Sequence, residues 1–184
     1  MFRRRSVSLG IFVGIVAIAG AMAQSGRIVR YDKFKERTLY STGEELNRNK
    51  AYSTSGDDIG MHITAAYSCP GENLPCRPDT VLMTLVSYRD NFTYQDVTEF
   101  LVIADSVHIN ASVGKRTAEV DHLGFRVETM TVWLPLADFI KLANGSSVEA
   151  QLGPMEFSIG GDLLSDLRQF AIEIPSSSTV APKP

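Results

Sequence analysis

Histidine and cysteine are scarce in this chain: three and two among 184 residues. His62, His108 and His122 show no His-x-His or His-x-x-x-His spacing, so the clustered donors of a zinc site are not prefigured. For each of them a surface or satisfied core position outweighs a ligand role. The Gly-x-Ser-x-Gly elbow of the α/β-hydrolases is absent. Gly160-Gly161-Asp162 is not followed by the lysine of a phosphate loop and reads as a strand-to-helix turn. Basic residues form no stripe, which argues against a nucleic-acid partner. Beyond residue 23 no apolar run has the roughly 20 residues that a membrane span needs. No catalytic, cofactor-binding or metal-ligating residue is therefore assigned, and no cofactor is expected.

What is present starts with an export pattern. Arg3, Arg4 and Arg5 precede a mostly apolar run, Leu9 to Met22, which ends in the small-x-small site Ala21-Met22-Ala23. Residues 1–23 are thus expected to be a signal peptide, with the mature chain starting at Gln24 and not inserted stably in a membrane. The arginines lack the aromatic-leucine pair of the twin-arginine pattern, so the export route stays open. Without those three arginines the net charge falls from −3 to −6. In a periplasmic or secreted setting the two cysteines, in SCPGENLPCRPD, are expected to form a Cys69–Cys76 disulfide. Closing so short a loop stabilises by roughly 2.5 kcal/mol in the chain-entropy treatment.

Most of the chain carries strand signals. Met61, Ile63, Ala65 and Tyr67 alternate with His62, Thr64 and Ala66. Residues 81–86 and 100–104 are apolar runs fit for buried strands. Phe125, Val127, Thr129, Thr131 and Trp133 share one face of a long strand, with Arg126 and Glu128 opposite. Arg27–Tyr31 reads as an extended arm, Thr38–Ser41 as a short edge strand, residues 43–60 as a loop and Val113-Gly114-Lys115 as a turn. That turn is the one arrangement that could carry His108 onto a strand beside Asp121 and His122.

Two helices follow. Leu136, Phe139, Ile140 and Ala143 recur at helical spacing, with Pro135 at the first position and Asn144-Gly145 as a left-handed end. Asp162 is expected to cap a second helix that buries Leu163, Leu167, Phe170 and Ile174. The fold class expected is mainly β (α+β), an antiparallel sheet or sandwich of about eight strands with two short C-terminal helices. Residues 24–174 form one domain, and residues 175–184 a disordered tail.

The series LPLADFIKLANGSSVEAQLGPMEFSIGGDLLSDLRQFA, with YDKFKERT upstream, resembles a family of exported bacterial β-rich domains. The resemblance implies a periplasmic location and a β-rich fold, and it carries no activity or functional residue. The expected function is a non-catalytic exported domain that binds an envelope protein or another envelope component. A sheet edge, or an aromatic contact surface of Tyr88, Phe92 and Tyr94, would serve. The alternative is a hydrolase whose catalytic residues are dispersed in sequence. Among the strand acids, Glu128, Glu149 and Glu156 are expected to face outward.

Overall fold

The computed structural model describes residues 27–43, 50–53 and 58–176. The expected signal peptide and the tail beyond Ser176 lie outside the described residues. Strands β1 (Ile28–Asp32), β2 (Arg37–Ser41), β3 (Lys50–Ser53), β4 (Asp58–Pro70), β5 (Thr80–Arg89), β6 (Glu99–Ala104), β7 (Val107–Val120) and β8 (Arg126–Pro135) come first. Helix α1 (Leu136–Asn144), the hairpin of β9 (Val148–Leu152) and β10 (Met155–Ser158), and helix α2 (Gly161–Glu173) complete the order.

All ten strands join one antiparallel sheet, in the order β1-β2-β4-β3-β10-β9-β6-β7-β8-β5. The long strand β4 makes the sheet curl. One of its edges pairs with β3 near Met61 and with β2 near Cys69, while β5 takes the other through Met61–Ala66. The far end of the sheet is thereby brought back to β4. At β3–β10 only two residue pairs meet, so the result is a rolled sheet and not an evenly laddered barrel.

The concave face is the core. Met61, Ile63, Ala65 and Tyr67 of β4 point into it with Val81, Met83 and Leu85 of β5 and Met130, Val132 and Leu134 of β8. The two helices fill one end. Phe139 of α1 and Phe170 of α2 meet edge to face at 6.1 Å, and Phe170 lies 5.4 Å from the Tyr67 ring. Each such side chain, fully buried, contributes roughly 1.5–3 kcal/mol. Arg27 ties β1 to this end. Its guanidinium pairs with Glu173 at 2.8 Å and covers the Tyr40 ring at 4.5 Å.

The β-rich class, the antiparallel sheet and the two C-terminal helices are as expected, with five local corrections. The described residues form ten strands: the arm at Arg27–Tyr31 is the paired edge strand β1, and β3 lies inside the expected loop. Val113-Gly114-Lys115 is no turn, because β7 continues to Val120 across a bulge at which Gly114 and Lys115 face Thr131. The two faces of β8 are also exchanged. Trp133 is 56% exposed and Glu128 only 3%, since the inward set is Met130, Val132 and Leu134 and a strand has just two faces.

The remaining corrections concern the helix ends. Pro135 is the N-cap of α1, and Gly145 has φ −57, so no left-handed end forms. Glycine is needed there for space, because a Cβ would stand 2.8 Å from Val148 Cγ2. Gly160, not Asp162, is the N-cap of α2, whose buried face gains Leu164 beside the expected Leu163, Leu167 and Phe170. Ile174 is buried as expected, and Ile140 is only partly so.

Candidate binding surface at the loop end

The end of the rolled sheet opposite the helices is built from connections. They are the β5–β6 loop (residues 90–98), the β7–β8 turn (residues 121–125) and the β9–β10 turn at Gly153-Pro154. Here the core turns polar. Ser87, Tyr94 and Glu128 are buried beside Arg89. Each Glu128 carboxylate oxygen accepts a loop amide, Oε2 from Thr93 N–H at 2.7 Å and Oε1 from Tyr94 N–H at 2.9 Å. Arg116 donates to the carbonyls of Tyr94 and Gln95 from the neighbouring strand. The buried charge is thus satisfied by amides, and the loop is fixed by it.

Tyr94 plugs the loop into the core. Its ring is fully buried, and its hydroxyl lies beside that of Ser87, close enough to feel it but outside good hydrogen-bond geometry. Burial pushes the phenol above its ordinary value, against the lowering pull of the Arg89 guanidinium. Tyr94 is therefore withdrawn from the expected contact surface. The hydrophobic ring gains more from the core than from solvent, and Glu128 holds its backbone in place.

Tyr88 and Phe92 do reach the surface, at 37% and 36% exposure. The Tyr88 ring takes His62 edge-on at 5.5 Å, and the Arg126 guanidinium covers Phe92 at 5.9 Å. The end of β7 and the turn after it add Val120, Leu123 and Phe125, exposed by 54%, 70% and 43%; Phe125, expected on the strand face, lies in the turn before β8. That turn is rigid. Asp121 Oδ1 accepts Leu123 N–H at 2.8 Å and Phe125 N–H at 2.9 Å. Tyr88 and Phe125 border an open depression of about 610 Å³ between the two connections. The close approach of the β9–β10 turn requires Gly153, where φ is +57 and a Cβ would fall 2.4 Å from Val97 Cγ2.

The other residues weighed for chemistry are dispersed. Because β7 runs through its bulge, His108 and Asp121 sit thirteen residues apart on an extended path of roughly 40 Å. His108 instead lines a groove of about 410 Å³ on the outer face of the sheet with Glu149, Glu156 and Ile103. Glu128, expected outward, is the buried loop anchor just described. Ser112 and Lys115 have the Ser-x-x-Lys spacing of penicillin-binding enzymes. They lie on the bulged strand and not one turn apart on a helix. Among the described residues no three His, Cys, Asp or Glu side chains could share a metal ion.

At the helix end Cys69 and Cys76 are disulfide-bonded, with Cα atoms 5.6 Å apart, and Cys76 N–H points to Cys69 Sγ at 2.9 Å. No described helix is long and apolar enough to cross a membrane. No family model, curated protein or solved structure matches the chain, so the likeness of its C-terminal third rests on the quoted residues alone.

Proposed function

We propose that the chain is an exported, non-catalytic domain of the periplasm or extracellular space that binds a protein of the envelope through its loop end. The observation that carries this reading is the group Tyr88, Phe92, Val120, Leu123 and Phe125. Five large apolar side chains remain a third or more exposed at this end. Tyr88 and Val120 stand on the last residues of β5 and β7, and Phe92, Leu123 and Phe125 on the connections that Glu128 and Asp121 tie down. Apolar surface gathered on a braced end loses little entropy on docking and is the usual anatomy of a contact site. Export is supported by the arginine-led apolar N-terminus and by the disulfide, which persists in oxidising compartments. The hydrolase alternative has less support, because the buried acid Glu128 is committed to two loop amides.

A photo-crosslinking residue at position 92 tests the reading in intact cells. The expected result is a discrete crosslinked species that disappears with Leu123→Ser and persists with the helix-end substitution Ile172→Ser. Crosslinking that Leu123→Ser leaves unchanged would remove the loop end from the function. The chain recovered after export should begin at Gln24 and contain no alkylatable thiol; a chain that retains residues 1–23 defeats the assignment of a cleaved signal.

A further inference from the structure

The β1–β2 hairpin departs from the rest of the molecule in charge. Residues 27–37 carry five basic side chains and two acidic ones, whereas residues 38–184 carry ten and nineteen. Arg30, Lys33, Lys35 and Arg37 are all exposed. Between the lysines, at the tip of the turn, Phe34 is 89% exposed, the highest value among the large apolar side chains described. On the adjoining disulfide loop Leu74 is 50% exposed, and Leu39 beside Arg30 on the hairpin is 40% exposed.

This turn is braced from both sides. Asp32 Oδ1 accepts the amides of Phe34 at 3.0 Å and Lys35 at 3.3 Å. Gly71 N–H donates to the Glu36 carbonyl at 2.8 Å. The buried Thr38 hydroxyl donates to the Gly71 carbonyl at 2.7 Å and accepts Asn73 N–H at 2.8 Å. Asp32 also lies 3.6 Å from Lys35 Nζ, at the exposed base of the turn. Phe34 is therefore presented on a hydrogen-bonded turn, with Lys33 Nζ 5.2 Å from the centre of its ring and the exposed Leu74 on the loop that Gly71 and Asn73 join to the hairpin.

From this arrangement we propose that the β1–β2 turn is a peripheral docking tip for an anionic lipid surface. Phe34 and Leu74 would enter the headgroup boundary, while Lys33, Lys35, Arg30 and Arg37 meet the lipid phosphates. The inference goes beyond the loop-end reading and does not rest on it. Charge complementarity selects the partner: the local positive sign opposes the negative whole, so attraction to anionic headgroups also orients the molecule. A flat lipid surface suits a single protruding aromatic flanked by cations, because interfacial binding sums apolar insertion and headgroup attraction. The tip lies at the helix-covered end, so a docked molecule directs its loop end away from the bilayer.

Vesicle flotation of the chain recovered after export tests the proposal, using phosphatidylcholine vesicles with and without phosphatidylglycerol. In that form the arginine-led apolar segment of residues 1–23 does not contribute to partitioning. Binding is expected only with phosphatidylglycerol, and it should fall steeply toward roughly 0.5 M salt, where charges beyond a few Å are screened. Lys33→Gln with Lys35→Gln should weaken partitioning roughly 30-fold, from the usual share of each lysine near an anionic surface. Phe34→Ala should weaken it roughly tenfold while leaving the urea midpoint unchanged, since the ring is exposed. Equal partitioning of wild type and these variants would overturn the proposal. Retention on immobilised polyglutamate without vesicle binding would overturn it as well, in favour of an acidic polypeptide partner.

Discussion

The helix-covered end and the loop end of the rolled sheet share the same strands but are held by different forces. At the helix end the strands converge on Phe139, Leu142, Leu167 and Phe170, all buried and all apolar. At the loop end the same strands β5 and β8 deliver Ser87 and Glu128 inward, and the loop above is tied down by charge-assisted hydrogen bonds. Apolar packing is non-directional and tolerates small shifts of a helix. A carboxylate that receives two successive amides fixes a loop in one conformation but depends on very few bonds. The first arrangement suits a foundation, the second a surface whose exposed apolar side chains must keep their places.

If the helix end is the foundation, the largest effect of a single substitution belongs there. Phe170 contacts both Tyr67 and Phe139 and is 3% exposed. Phe170→Ala should cost about 3–5 kcal/mol, the usual range for truncating a buried phenylalanine. A urea midpoint equal to that of wild type would break the comparison at its stronger side.

The next effect lies at the loop end. Glu128→Ala removes the acceptor of one buried and one part-buried amide and should cost about 2–3 kcal/mol. Unlike Phe170→Ala, it should act locally. Amide exchange at Thr93 and Tyr94 is expected to lose protection while α2 keeps its own. Uniform loss of protection over the whole sheet would show that the loop and the core unfold as one unit.

The different legibility of the two ends has a physical basis. Leu163, Leu167 and Phe170 follow a helical period, and Cys69 and Cys76 lie close in sequence, so the helix end could be read without knowing distant partners. Glu128 could not. Its strand has apolar residues on both faces, Val127 and Trp133 against Met130, Val132 and Leu134, and only pairing with β5 decides which face turns inward. Tyr94 stands close to Tyr88 and Phe92 in sequence, yet its burial depends on Ser87 and Glu128, which approach it from other strands. The bulge at Gly114 mimics a turn in sequence because glycine and lysine suit both. In Ser-x-x-Lys at Ser112–Lys115 the motif is legible, but the strand that deprives it of helical geometry is not.

Tyr94 sharpens the comparison further, because it separates the value of a buried ring from that of its hydroxyl. The hydroxyl has the Ser87 hydroxyl near it but no well-formed hydrogen bond, so Tyr94→Phe should change stability by less than about 1 kcal/mol at neutral pH. Alkali should distinguish the two proteins. Burial raises the phenol's pKa in the folded state above the ordinary value near 10. The folded state then holds the proton more tightly than the unfolded one, so stability falls as pH rises from about 10 toward the folded value. Tyr40 and Tyr67 are raised by burial too, but they are present in both proteins and cancel in the difference. Between about pH 9 and about pH 11 wild type should lose more stability than Tyr94→Phe. Parallel loss in the two proteins would place the Tyr94 ring in water.

The smallest expected effect comes from a carboxylate that repeats the Glu128 arrangement without its burial. Asp105, in the β6–β7 turn at the helix end, accepts the Ser146 hydroxyl at 2.6 Å and the amides of Ser146 and Ser147 at 3.0 Å each. The Ser146 hydroxyl, and next the Ser147 amide, hold its pKa below the usual carboxylate value. A depressed folded pKa stabilises above the unfolded value near 4 and loses that contribution as pH falls through the folded one. Because water surrounds Asp105, each partner it loses can be replaced, and Asp105→Asn should shift the neutral urea midpoint far less than Glu128→Ala does. The small difference between wild type and Asp105→Asn should then vanish in acid, below the depressed pKa, where the wild-type carboxyl is also uncharged. If Asp105→Asn proved as costly as Glu128→Ala, burial would not be what separates the two ends, and the number of hydrogen bonds alone would have to explain how each connection is held.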